Sequence, residues 1–231
     1  MGEKKKKEAA QNKWKKILFV AAAVLFVFVM VISSMGTHWI TGIAPVKAGD
    51  SVVLEYTIYD ASGMPFLTTD ETLYEKNAGA GQAIMYGKDI SLTANQSIKQ
   101  AIYPVDVYST NTGSVQQFAL YNPEYNAISS GVVGMRTGEI KKIPLSTNST
   151  MSALFSPEDL AQVHVNMSSL SIGDSLVMGV SETQNATATN STAVSYLRLG
   201  DVTRINTNGV VVEFGYPYAE ITLKSFTASN S

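Results

Sequence analysis

Hydrophobic and polar positions alternate along "SVVLEYTIYD", Ser51 to Asp60. Val52, Leu54, Tyr56 and Ile58 fall on one face, and Val53, Glu55, Thr57 and Tyr59 on the other. That period of two predicts a strand with one side buried. "DASGMPF" then turns the chain through Asp60, Ser62 and Gly63, residues that suit tight turns. "VDVYSTNTGSVQQFALY" reads as a hairpin, two alternating runs separated by Asn111, Thr112 and Gly113. Between Thr68 and about Gln117 the pattern is otherwise poor. "NAGAGQAIMYG" there has glycines without a Gly-Lys-Ser/Thr sequence, so it reads as a flexible loop and not a phosphate cradle.

Helical spacing is rarer. In "AISSGVVGMRTGEIKKIPL" the residues Ile128, Val132, Val133 and Met135 share a helical face, after Pro123 and Glu124 as a start. Ser, Gly and Val are poor helix formers, so packing must hold this short helix. Gly138 turns the chain into a strand that puts Ile143 and Leu145 on one side. "FSPEDLAQV" starts a second helix, with Ser156 as cap, Pro157 in the first turn, and Glu158 and Asp159 near the positive helix end. "LSIGDSLVMGVSE" and "SYLRLGDVTRINTNGVVVEFG" read as strands with Gly-Asp and Asn-Gly turns. "TQNATATNSTAV" between them is a polar loop, and "ITLKSFT" a closing strand.

One segment breaks both periods. Ile17 to Ile32 carries no charged or polar side chain and, with residues 33–36, reaches about 20 residues, enough to span a hydrocarbon core of about 30 Å. Trp14 and Trp39 bracket it, as expected of residues at the two headgroup zones. The run is slightly long for a cleaved signal peptide, and the "SSMGTHW" that follows it is a poor match to a cleavage site. The expectation is a single-pass anchor over residues 17–36, with a cytoplasmic N-terminus and an extracytoplasmic main domain. Sequons at Asn95, Asn148, Asn166, Asn185 and Asn190 agree with an exported segment.

Charge sharpens this division. The 231 residues hold 17 Lys and Arg and 19 Asp and Glu. Residues 1–16 contain seven lysines and two acids, which leaves ten basic and seventeen acidic residues beyond them. A mildly acidic main domain repels a phosphate backbone, so no nucleic-acid partner is expected. With no cysteine and only His38 and His164, no metal centre and no cofactor are expected. A Gly-x-Ser-x-Gly nucleophile elbow is absent. The paired acids of "SPEDL" are explained by helix capping.

In order along the chain, three stretches resemble the FKBP-type peptidyl-prolyl cis–trans isomerases, and within them the SlyD-like branch. These are "AGDSVVLEYTIYDASGMPF", "AISSGVVGMRTGEIKKIPL" and "LRLGDVTRINTNGVVVEFGYPYAEITLKSF". Together they cover about half of the chain beyond the anchor. The resemblance implies an α+β fold, a curved antiparallel sheet with a short helix across it. It further implies a mostly β inserted domain, to which the N-terminal transmembrane helix is added. The implied division is a basic tail and anchor over 1–40, a core over 41–146 with an insertion at about 68–117, an inserted domain over 147–215, and a closing strand over 216–231. It also implies a dry pocket for proline. Tyr56, Phe66 and Ile128 match its central positions, and Phe118, Tyr125, Leu145, Tyr216 and Tyr218 its walls and rim.

Such a pocket suits a reaction that needs no acid or base. An X–Pro bond turns over a barrier of about 18–20 kcal/mol, and the twisted amide has lost resonance and polarity. The expected function is therefore prolyl isomerisation on polypeptide clients. The alternative is a non-catalytic chaperone, binding or cell-surface structural module, for which three departures speak. Leu67 stands where the family has an aspartate. An Ala-Tyr-Gly segment is replaced by "STNSTMSALFSPEDL". Ser225 occupies an aromatic position of the last strand, with Phe226 one residue on.

Overall fold

Twelve strands hydrogen-bond into one sheet in the computed structural model, which describes residues 20, 22, 24–27, 29–31, 44–108, 114–145, 151–162, 164–181 and 195–229. In chain order the elements are β1 (Ser51–Tyr59), β2 (Pro65–Thr68), α1 (Glu71–Gly79), β3 (Met85–Gly87), β4 (Ile90–Thr93), β5 (Ile102–Tyr108) and β6 (Val115–Tyr121). They continue with α2 (Asn122–Gly131), β7 (Ile140–Pro144), β8 (Ser152–Phe155), α3 (Pro157–Gln162) and a 3₁₀ turn (Met167–Ser169). The last four are β9 (Ser175–Val180), β10 (Tyr196–Asn206), β11 (Gly209–Glu213) and β12 (Tyr218–Thr227). The sheet runs β7-β12-β1-β2-β3-β5-β6-β10-β11-β8, with β4 also on β1 and β9 also on β10.

This architecture corrects the expected fold class. The sheet is mixed and not antiparallel throughout, because β2 runs parallel to β3, and β10 parallel to β6 at Leu197 and Phe118. The second parallel contact joins the strands of the expected inserted domain to the same sheet. Alternation along one strand says which face is buried but not which strand lies beside it. The stretch after Thr68 is also more ordered than its composition suggests. Asp70 caps α1 by accepting from the Leu73 amide at 3.1 Å, and "MYG" forms β3 where a flexible loop was expected.

Contacts divide the chain into two units, Met1–Ala44 and Pro45–Ser231, and the sheet belongs to the second. In the first, residues 20, 22, 24–27 and 29–31 are helical and exposed. Among the described residues no helix is long and apolar enough to cross a membrane. A crossing needs about 20 continuous apolar residues, so the expected transmembrane helix and the single-pass, extracytoplasmic placement are not retained. Trp14, Trp39, His38, the rest of the 17–36 stretch and the sequons Asn148, Asn185 and Asn190 lie outside the described residues.

Two apolar clusters fill the second unit. The larger is built on the inward face of β1, where Val52, Leu54, Tyr56 and Ile58 are all buried. Asp60 closes the following turn, accepting from the Ser62 hydroxyl at 2.8 Å and the Met64 amide at 2.6 Å. The weak helix α2 is held by side-chain anchors. Ser129 donates to the Thr93 carbonyl at 2.9 Å and accepts from the Gln96 amide, while Asn126 accepts from the Ile98 amide. Ile128, Val132 and Met135 are buried as the helical spacing predicts, but Val133 is exposed. Leu160, Val202, Val210 and Val212 form the smaller cluster, with Phe155, Leu176 and Met178 packed around it.

β10 and β11 meet in a two-residue turn, Thr207–Asn208, closed by the Asn206–Gly209 pair. Gly209 has φ 141, and a Cβ there would collide with the Phe155 carbonyl of β8. Gly209→Ala should therefore lower stability by about 1–3 kcal/mol, read as a lower urea midpoint with an unchanged slope.

Candidate functional site

Seven of the eight residues singled out from the sequence meet in the larger cluster. Tyr56 comes from β1, Phe66 from β2, Phe118 from β6, Tyr125 and Ile128 from α2, Leu145 from the end of β7, and Tyr216 from the turn before β12. Tyr216 organises the rings. It meets Phe66 edge-on, with centroids 5.3 Å apart, and stacks on Phe118 at 6.1 Å. Its hydroxyl donates to the Leu199 carbonyl at 2.8 Å, which satisfies the one polar atom that burial would otherwise penalise. Tyr218 stays apart. Its ring stacks on Tyr59 at 4.8 Å, with the Lys142 ammonium 3.4 Å from its centroid.

Beneath these rings lies an ion pair that the hydrophobic pattern does not announce. Arg198 of β10 and Glu124 of α2 are both fully buried. The guanidinium grips both carboxylate oxygens, at 2.8 and 2.5 Å. It also donates to the carbonyls of Ala119 and Phe214. Three rings surround it, with centroids at 4.1 Å for Tyr216, 4.6 Å for Tyr121 and 5.4 Å for Phe118. Every N–H of the fork thus finds an acceptor or ring face, the condition under which a buried charge is tolerated. Glu124 additionally accepts from the Tyr121 amide at 2.9 Å, so the same carboxylate caps α2.

Tyr56 is the exception. Its hydroxyl is buried and has no hydrogen-bond partner. A Cβ on Gly87 would stand 2.9 Å from that oxygen and 3.1 Å from the Leu67 Cδ1 methyl. The space beside Gly87 is thus bounded by the phenol oxygen and a leucine methyl, and a methyl accepts nothing. Burial, then the fields of Asp89, Tyr103 and Asp106, hold this phenol far above its ordinary range. Burial also raises Tyr216 well above it. Tyr59 is pushed up to about 12, by burial first and then by its hydrogen bond to Glu220.

The larger apolar cluster, through residues other than these rings, borders open space on one side. A cleft of about 240 Å³ is lined by apolar Met85, Val107, Leu197 and Leu199, with Tyr74, Tyr108 and Val177 at its rim. Val107 pairs across the sheet with Gly87, the residue against which the Tyr56 hydroxyl rests. The sequence reading missed these four. Their signal was faint, because Leu197 and Leu199 flank an arginine in "SYLRLGD", a charge within the apolar run. A second apolar groove, of about 390 Å³, lies on the smaller cluster between β8 and β9, with Leu154 and Val177 at its lip. Among the described residues no group of His, Asp or Glu side chains is placed to hold a metal ion. No family model matches the chain, and no curated protein matches it.

Glu124→Gln should destabilise the protein by about 3–5 kcal/mol, because it strands a buried guanidinium. Restoring an apolar match with Arg198→Met in the same chain should recover part of that loss in urea unfolding. Tyr56→Phe should leave stability unchanged or raise it by up to about 1–3 kcal/mol, since it removes an unpaired buried hydroxyl. With raised phenol pKa values, the folded state keeps protons that the unfolded chain releases above its ordinary value of 10. Stability should therefore be flat below that value and fall as pH climbs through it. Urea midpoints at about pH 9 and about pH 11, with tyrosinate absorbance, check this.

Proposed function

We propose that the chain is a peptidyl-prolyl cis–trans isomerase that also holds unfolded polypeptide segments. The observation that carries this reading is the unpartnered Tyr56 hydroxyl at the edge of a dry aromatic cluster. A buried donor without an acceptor costs stability. A peptide carbonyl is the acceptor it lacks. A segment lying in the cleft of Met85, Val107, Leu197 and Leu199 brings an X–Pro amide next to Val107 and Gly87, and so towards that hydroxyl. The apolar surroundings favour the twisted, less polar amide over the planar one. One hydrogen bond to the carbonyl then fixes its orientation. No acid, base or cofactor takes part. Proline-containing polypeptides are the partners, and the acidic balance beyond residue 16 speaks against nucleic acid.

A second reading is favoured by burial. Tyr56, Phe66, Phe118, Tyr125, Ile128, Leu145 and Tyr216 are each at most 5% exposed, so the rings fill the space a proline would enter. The groove at β8 and β9, by contrast, is open, with Leu154 56% and Val177 63% exposed. On this reading the chain binds apolar segments at that groove without turning them over.

Proline-limited refolding of a client protein, catalysed by the full chain, separates the two. Under the isomerase reading the chain accelerates the slow phase, and Phe66→Ala and the milder Phe66→Leu each lower that acceleration by about tenfold or more, with the fold checked by circular dichroism. Unchanged acceleration in both variants removes the cluster from the reaction. An inactive chain that still suppresses client aggregation, and loses this with Leu154→Ser, leaves the binding module.

A further inference from the structure

A larger cleft lies on the opposite face of the sheet from the ring cluster. It measures about 940 Å³, within the range of small-molecule sites. Glu55 and Lys224 supply one wall, Thr69 to Thr72 a second, and Tyr86 to Asp89 with Tyr108 the third. Strand alternation separates it from the cluster, since Glu55 points away from the side to which Leu54 and Tyr56 turn.

Three features give the cleft its chemistry. First, β12 bulges at Lys224. Leu223 pairs with Leu54 and Ser225 with Val53, so Lys224 is the extra residue, and bulges re-aim side chains. The ammonium is delivered between Asp89, at 2.8 Å, and Glu55, at 3.0 Å. Second, Tyr86 and Tyr108 stand directly opposite each other across β3 and β5, so both rings project to one face. They stack at 5.7 Å, and Tyr74 extends the ladder at 5.4 Å from Tyr86. Third, hydrogen-bonding groups of both polarities ring the space. Carboxylates come from Glu55, Asp70, Glu71 and Asp89, and ammonium groups from Lys88 and Lys224.

This combination narrows the ligand. Four carboxylates repel an anion. A cation finds its best places already taken, because Lys224 sits between Glu55 and Asp89, and Lys88 lies on Asp106 at 3.4 Å and over the Tyr108 ring. A purely apolar ligand strands the charged walls. What remains is a neutral body rich in hydroxyls, each able to donate to a carboxylate and accept from an ammonium, with flat C–H faces to lie on tyrosine rings. We propose that this cleft, between the Lys224 bulge and the Tyr86–Tyr108 pair, is a carbohydrate-binding site. It does not rest on the isomerase reading: it uses none of the seven ring-cluster residues, although Tyr108 borders both clefts.

The test is calorimetric and NMR titration of the full chain with maltotriose, cellotriose and chitotriose. At least one of these should bind saturably, with a Kd on the order of 1 mM or tighter. Tyr108→Ala and Lys224→Met, both at exposed positions, should each weaken it by about tenfold or more, and Phe66→Leu should leave it unchanged. The proposal is overturned if none of the three sugars binds at about 20 mM. It is overturned equally if binding survives both cleft substitutions, or if tri-arginine or inorganic phosphate, and no sugar, perturbs the cleft.

Discussion

The pairing of Arg198 with Glu124 is the constraint on which the rest of the larger apolar cluster depends. A guanidinium and a carboxylate removed from water cost several kcal/mol each unless every donor and acceptor is met. Here they are met by pieces from distant parts of the sequence: β10, α2, the end of β6 at Ala119 and the end of β11 at Phe214. The pair therefore demands that four segments arrive together. The rings of Phe118, Tyr121 and Tyr216 close around the charge and complete its shielding. A helix with weak intrinsic propensity is thereby capped and fixed at its first turn, and Tyr125 and Ile128 are set against the sheet.

Around that anchor one strand separates two kinds of chemistry. The inward residues of β1 build an apolar cluster whose single polar misfit is the Tyr56 hydroxyl. On its outward face Glu55 lines a charged cleft. The same bulge in β12 serves both sides. By inserting Lys224 it turns an ammonium towards Glu55, and it moves the inward phase on by one. Ala219, Ile221 and Leu223 point inward before it, and Phe226 packs against the cluster after it. Ser225 at the expected aromatic position is thus no loss to the core, because the phase shift brings Phe226 in its place.

Much of the local structure was legible in the residues. The period of two in "SVVLEYTIYD", the Asp60 turn, the start of α2 near Pro123 and the inward Ile143 and Leu145 all follow from short-range preferences. Burial of Tyr56 and Ile128 followed as well, but that they meet Phe66 and Phe118 was an expectation of the resemblance and of no short-range preference. The failures share a cause. The pairing of Arg198 with Glu124 went unread, since nothing nearby in the sequence shows that the two lie opposite each other. Tyr218 looked like a rim residue, but it stacks on Tyr59 and meets Lys142, a partnership set by the register of β12 with β1 and β7. The helix at Glu71 and the strand at Met85 were hidden by glycine-rich composition that packing overrode.

By itself, then, the amino-acid order determined which faces of which segments prefer to leave water, where the chain must turn, and which chemistries are missing. Those are properties of a residue and its neighbours within about four positions. Only the tertiary structure decided that β10 lies parallel to β6, that twelve strands form one mixed sheet, and that the Tyr56 phenol is buried without an acceptor. Each of these rests on contacts between groups far apart in the chain. Their free energy depends on distance and desolvation in three dimensions, which no one-dimensional period encodes.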